Sequence, residues 1–168
     1  MSPQMASSVQ MFVLLSLTSG LFIAGAMSEE TVPACPPGWT QFGSRCFIFH
    51  RSAKRWVDAE SHCIKIGGNL ASIHSSEENY FLNNLIARVT NNAHLRTWIG
   101  GYDAVQEGKW LWSDGTRFDY LRWGPGEPNN LGTEHCIVMN WAGSYWNDIR
   151  CYYHFPYVCA KDVQTDPE

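Results

Sequence analysis

Basic residues are scarce in this chain and nowhere clustered. Lys and Arg total 12 against 16 Asp and Glu, for a net charge of −4, and Lys54-Arg55 is the single adjacent basic pair. A protein that grips a phosphate backbone needs a cationic stripe or patch, so nucleic acid is not the expected partner. There is no Gly-x-Ser-x-Gly elbow and no phosphate-cradling glycine loop, the turns that present a nucleophilic serine or a row of N–H groups to a nucleotide. The histidines (His50, His62, His74, His94, His135 and His154) include no pair at zinc spacing with a neighbouring Glu base, and no two cysteines form a C-x-x-C pair. A cysteine zinc framework and zinc hydrolase chemistry are therefore not expected. No Asn-x-Ser/Thr sequon occurs, so N-glycosylation is not expected.

Long apolar runs are missing except at the N-terminus. There Met11-Phe12-Val13-Leu14-Leu15-Ser16-Leu17 is extended by Leu21-Phe22-Ile23 and followed by the small residues Ala24-Gly25-Ala26. This pattern predicts a cleaved signal peptide over 1–26, although the segment before the run has no Lys or Arg. Interruption by Ser16, Thr18, Ser19 and Gly20 argues against a membrane anchor. The expected product is secreted, soluble and not inserted in a membrane, with 27–34 as a linker, one domain over 35–161 and a short tail over 162–168.

What the chain has is an even set of 6 cysteines. In an exported chain these read as three disulfides, with the connectivity left open by spacing alone. Cys35 and Cys46 bracket a stretch short enough to fold back as a hairpin. Cys136 and Cys151 bracket Trp146-Asn147-Asp148 and would tie it to the segment carrying Glu134. Arg45-Cys46-Phe47-Ile48-Phe49 reads as an early strand. Ser52 is placed to cap a helix running to about Ile66, with Trp56, Val57, Cys63 and Ile64 on its inner face and Gly67 at C′. Ser75-Ser76-Glu77-Glu78 reads as a capping box before a second helix, whose Phe81, Leu82, Leu85, Ile86 and Val89 recur at core spacing. After residue 95 short apolar runs (Thr97-Trp98-Ile99, Trp110-Leu111-Trp112, Cys136-Ile137-Val138-Met139) alternate with loops rich in Gly, Asn and Pro. Two helices followed by short strands predict an α+β fold. The stretch from Phe118 to His135 has little periodicity, and so long an irregular loop needs a reason to be ordered.

That reason lies in residues 127–148. Glu127, Asn129, Glu134, Asn147 and Asp148 bring three carboxylates and two amides. Calcium takes six to eight oxygen ligands of these kinds. Amides donate hydrogen bonds as well as accept them, whereas ionised carboxylates only accept. Alternating Glu and Asn around an ion therefore suits a sugar diol, whose hydroxyls do both. The pattern predicts a site for Ca2+ and carbohydrate together.

Trp98-Ile99-Gly100-Gly101, Trp110-Leu111-Trp112-Ser113-Asp114-Gly115, Glu127-Pro128-Asn129, Trp146-Asn147-Asp148 and the six cysteines, in this order, resemble the C-type lectin family over about residues 35–161. The layout is similar to that of small secreted fish lectins and of type II antifreeze proteins. The resemblance implies a C-type lectin fold of two helices, antiparallel strands and a long calcium-binding loop. It implies the pairing Cys35–Cys46, Cys63–Cys159 and Cys136–Cys151, and a cis Glu127–Pro128 bond that turns the two flanking side chains toward one ion. It implies no enzyme, and a scaffold role for Trp98, Trp110 and Trp112. The Glu-Pro-Asn order goes with mannose-type diols and the Gln-Pro-Asp order with galactose. Asn130 and His135 stand where acids of an auxiliary calcium site would be expected, so one calcium is expected. Trp141 and Tyr145 lie near enough to stack on a sugar, and Leu131 is placed to shape selectivity. The implied role is binding of microbial glycans in innate defence, with oligomeric state open. The alternatives on the same scaffold are an ice-binding protein, whose relatives usually carry more cysteines, and a protein-binding module, which often loses the calcium ligands kept here.

Overall fold

A computed structural model describes residues 34–91 and 93–164; the expected signal peptide lies outside the described residues. The elements are β1 (Thr40–Phe42), β2 (Arg45–Lys54), α1 (Trp56–Lys65), β3 (Asn69–Leu70), α2 (Ser76–Val89), β4 (Thr97–Tyr102), β5 (Leu111–Trp112), β6 (Cys136–Trp141), β7 (Tyr145–Ile149) and β8 (Phe155–Asp162). The strands form one sheet in the order β1-β2-β8-β4-β6-β7, with β3 added on β8 and β5 on β4. This is the α+β arrangement expected, with one difference. β4 meets β8 in parallel, at Trp98 and Tyr157, so the sheet is mixed rather than wholly antiparallel. The early strand β2 and the last strand β8 pair from Arg45↔Asp162 to Lys54↔Phe155. Three disulfides, Cys35–Cys46, Cys63–Cys159 and Cys136–Cys151, fasten β2, α1 to β8, and β6 to the segment after β7.

The core has two parts. Phe47, Ile73, Leu82, Ile86, Ile99, Trp112, Ile137, Met139 and Trp146 pack between α2 and the sheet. Ala59, Cys63, Leu70, Trp98, Val138, Tyr157 and Cys159 pack beneath α1. Trp98 and Trp112 are buried and Trp110 packs partly buried against the first cluster, as scaffold residues. Gly100 allows the close approach of neighbouring chain: a Cβ there would lie 2.6 Å from the Leu70 carbonyl oxygen.

The start of α1 differs from expectation, and that of α2 matches it in part. Ser52 does not cap α1; β2 continues through Lys54, because its pairing with β8 resumes at Lys54↔Phe155 after an irregularity. The N-cap is Arg55, which makes no side-chain capping bond. Val57 and Ile64 are exposed, and the buried residues of α1 are Ala59, Glu60 and Cys63. Glu60 replaces apolar packing with bonds, accepting from the Leu70 N–H at 2.7 Å and from Asn69 Nδ2 at 2.6 Å. Gly67 does take the left-handed conformation expected past the end of α1, at φ +85°. On α2, Ser75 Oγ accepts from the Glu78 N–H at 3.1 Å, the first half of a capping box. The second half is displaced: the Glu78 carboxylate accepts from the His74 N–H at 2.8 Å and pairs with Arg45 at 2.7 Å. Leu82, Leu85 and Ile86 are buried and Phe81 packs against the core, whereas Val89 is exposed in the last turn.

Candidate functional site

The long loop of residues 118–135 is fastened to β7 just before the residues that matter. The Gly124 N–H donates to the Trp146 carbonyl at 2.9 Å, and the Trp146 N–H to the Arg122 carbonyl at 2.7 Å. Trp146 itself is buried, and its indole N–H donates to Asn79 Oδ1 on α2 at 2.9 Å. Asn147 and Asp148, next along β7, are thereby held at the edge of the core.

Four of the five predicted residues, Glu127, Asn129, Glu134 and Asn147, line one cleft of about 560 Å³. The fifth, Asp148, is buried behind them. Its two carboxylate oxygens accept from the Asn129 N–H at 3.0 Å and the Asn130 N–H at 2.7 Å, which folds the loop around it. The Glu127–Pro128 bond is cis. Asn129 Nδ2 donates to Glu127 Oε2 at 2.6 Å, and the Leu131 N–H lies 2.8 Å from Asn129 Oδ1 and 3.0 Å from Glu134 Oε2. Asn130 is turned inward as a loop brace, its Oδ1 accepting from the Glu134 N–H at 2.9 Å.

The electrostatics of this cluster are unfavourable as it stands. Burial, then the neighbouring Asp148 and Glu134 carboxylates, push Glu127 up to about 7. Glu134 is also raised, chiefly by burial, with Asp148 adding to it. Crowded carboxylates resist ionising together unless a cation offsets them. Asn147 Oδ1 is buried and has no hydrogen-bond partner. A buried carbonyl oxygen without a donor is costly, and a hard cation is the kind of partner that satisfies it. Three carboxylates and two amides, one of them with an orphaned oxygen, thus fit a calcium ion.

His135 Nδ1 lies 2.9 Å from the buried Asp103 Oδ1 and 3.6 Å from Glu107 Oε2. Its imidazole faces the two acids from the base of the loop. Trp141 lines the cleft, but Tyr145 does not; it is stacked under the Arg122 guanidinium. Leu131 lines the cleft and is 73% exposed. Residues with no sequence signal also line it, namely Arg96, Ile149, Tyr153, His154 and Phe155. Arg96 comes from just before β4, and the others run from the end of β7 to the start of β8; the sheet order brings Arg96 beside the loop.

One arrangement elsewhere has the outline of a hydrolytic triad. His74 lies 3.0 Å from Ser72 Oγ and 2.9 Å from Asp119. Ser72 is fully buried, its hydroxyl proton is directed to Asp114, and its oxygen accepts from Arg45 at 2.9 Å. His74 therefore does not serve as its base, and no substrate reaches it.

The model of the lectin C-type domain matches residues 52–161. Among curated proteins, the galactose-specific lectin nattectin of Thalassophryne nattereri is 44% identical, covering 95% of this chain and all of nattectin. Ladderlectin of Oncorhynchus mykiss is 55% identical over 82% of this chain and 74% of its own. Among solved structures, herring type II antifreeze protein superposes with a TM-score of 0.72 at 40% identity, covering 77% of this chain and all of the antifreeze chain. Sequence and fold agree, and the chain belongs to the C-type lectin family.

Proposed function

We propose that this protein is a secreted, calcium-dependent lectin that binds one Ca2+ through Glu127, Asn129, Glu134, Asn147 and Asp148. The observation that carries the reading is the orphaned Asn147 oxygen beside crowded carboxylates, two of them raised above their ordinary range. A bound calcium supplies the missing positive charge and open positions that two adjacent hydroxyls fill. The chain's own groups then set the orientation of the sugar: Glu127 and Glu134 accept from its hydroxyls, and the Asn129 and Asn147 amides donate to them. The acceptor-then-donor order of Glu127 and Asn129 supports a mannose-type diol. Glycans on microbial surfaces, met in innate defence, are the physiological class proposed from family analogy.

The name of nattectin favours a second reading, galactose, on the same residues. Leu131 beside the cleft is the feature by which that preference would be set against the loop order. Calorimetry should give one calcium per chain with Kd of about 10⁻⁴–10⁻³ M, as for other extracellular modules. Retention on a mannose resin that is lost with chelator supports the proposal. Two equivalent calcium sites or none would sink the metal assignment, and elution by free galactose in preference to mannose would sink the sugar assignment. The similarity to type II antifreeze proteins raises ice binding as a further reading, read out directly as thermal hysteresis.

A further inference from the structure

We propose that the cleft continues past the oxygen cluster into a second subsite, in which Arg96 takes the anionic group of an acidic saccharide. This rests on the calcium-and-sugar reading of the first subsite and adds a substrate class to it. Arg96 stands immediately before β4 and lines the same cleft as Glu127 and Glu134. Its guanidinium lies 3.9 Å over the Trp141 ring. It is exposed, and among the described residues it has no ion-pair or hydrogen-bond partner, so its donors are uncommitted beside the cleft.

The placement is built by the fold. Asn140 is 5% exposed, and its Nδ2 donates to the Leu95 carbonyl at 3.0 Å. Asn140 has φ +64°, within the irregularity where β6 and β7 lose register between Val138 and Trp141. This bend at Asn140 sits next to Trp141, and the Asn140–Leu95 bond ties the residue before Arg96 to the residue before Trp141. Trp141 also approaches the first subsite: a Cβ on Gly124 would lie 3.4 Å from Trp141 Cδ1 and 3.6 Å from Glu127 Cγ. The guanidinium is thus carried on the aromatic wall that adjoins the calcium ligands.

Charge decides what such a cleft accepts. Glu127, Glu134 and Asp148 bring three negative charges, and a calcium ion offsets two. An anion on the sugar is therefore disfavoured at the metal end and is admitted toward Arg96. Arginine's planar fork matches carboxylate and sulfate oxygens, and stacking on an indole fixes its plane. The ligand class is an oligosaccharide with a terminal vicinal diol and a carboxylate or sulfate ester on the next residue.

The test uses three disaccharides sharing one terminal sugar: a neutral form, the form with its second residue oxidised to the uronic acid, and the form sulfated at that carbon. Binding to full-length protein is measured in 5 mM calcium by titration, for wild type, Arg96→Gln and Arg96→Lys. Wild type should bind one or both acidic forms about 3- to 10-fold more tightly than the neutral form, and the two arms identify which anion is read. Arg96→Gln should abolish that preference, read as the ratio of acidic to neutral affinity, and Arg96→Lys should keep part of it. Equal binding of acidic and neutral forms by wild type, or a preference that survives Arg96→Gln, overturns the proposal and leaves the calcium site standing. Failure to bind any of the three in calcium overturns both.

Discussion

Replacing Glu127 by Gln separates the electrostatic cost of the cluster from its use. In the calcium-free protein Glu127 is raised from 4.5 to about 7, first by burial and then by Asp148 and Glu134. A carboxyl raised in the folded state binds its proton more tightly there than in the unfolded chain. Its ionised form therefore costs folding stability above about pH 7, and the cost is relieved as pH falls toward 4.5. Taken at full value the rise corresponds to about 3 kcal/mol, and solvent screening in this half-exposed loop reduces it to about 1 kcal/mol. In chelator at pH 8 the Glu127→Gln variant should thus be more stable than wild type by about 1 kcal/mol. At pH 5 the two should coincide.

Calcium cancels the variant's advantage. For Kd of about 10⁻⁴–10⁻³ M, 10 mM calcium stabilises wild type by about 1.4–2.7 kcal/mol. A domain of this size gains roughly 3–5 °C in Tm per kcal/mol, so the wild-type shift is about 4–14 °C. Loss of one of three carboxylates should raise Kd about tenfold and shrink the shift to a few degrees. The assay is thermal unfolding at pH 5 and pH 8, with chelator and with calcium. Comparing the variant with wild type at each pH cancels His50, which burial lowers and which otherwise makes the fold less stable on acidification below about pH 6.5. A Glu127→Gln protein no more stable than wild type in chelator at pH 8, or one with an undiminished calcium shift, would refute the reasoning.

Three further outcomes are expected. Exchanging Glu127→Gln and Asn129→Asp keeps the oxygen count and net charge but reverses acceptor and donor, so competition by free mannose and free galactose should show preference moving toward galactose with calcium still bound; an unchanged ranking would dissociate these residues from sugar choice. Ser75→Ala removes the acceptor for the Glu78 N–H and should lower unfolding stability by about 1 kcal/mol in denaturant titration without touching sugar affinity. Gly100→Ala should cost about 1–3 kcal/mol or more, because its methyl would press on the Leu70 carbonyl, a backbone group that cannot rotate aside.

The parts of this molecule legible in the sequence are those whose chemistry is local. Glu127, Asn129, Glu134, Asn147 and Asp148 are readable as a group of oxygen donors, and the structure gathers four at one cleft with Asp148 behind them. Strand-sized runs such as Cys136-Ile137-Val138-Met139 are likewise readable, since a buried strand must be apolar on both faces. Misplaced features depend on partners distant in the chain. Ser52 has the chemistry of a cap, but β8 extends β2 past it. Val57 and Ile64 have the spacing of an inner face, but α1 turns Ala59 and Cys63 inward and satisfies Glu60 through Asn69 and Leu70.

The same distinction divides the cleft. Its proposed calcium end is composed of residues within one stretch of chain, closed by the Cys136–Cys151 bridge. Its other wall joins Arg96 to Trp141 through the pairing of β4 with β6 and through one side-chain bond from Asn140. No spacing rule connects positions 96 and 141. On the reading proposed here the motif concerns the diol, whereas the residue attached to that diol meets a wall set by sheet register. Relatives that share the loop can differ in ligand through residues outside it, and the contrast between wild type and Arg96→Gln is sensitive to that wall while the loop swap at Glu127 and Asn129 is not. If both perturbations altered preference for the same neutral sugar, the two ends of the cleft would be one subsite, and the separation argued from Trp141 and Asn140 would be wrong.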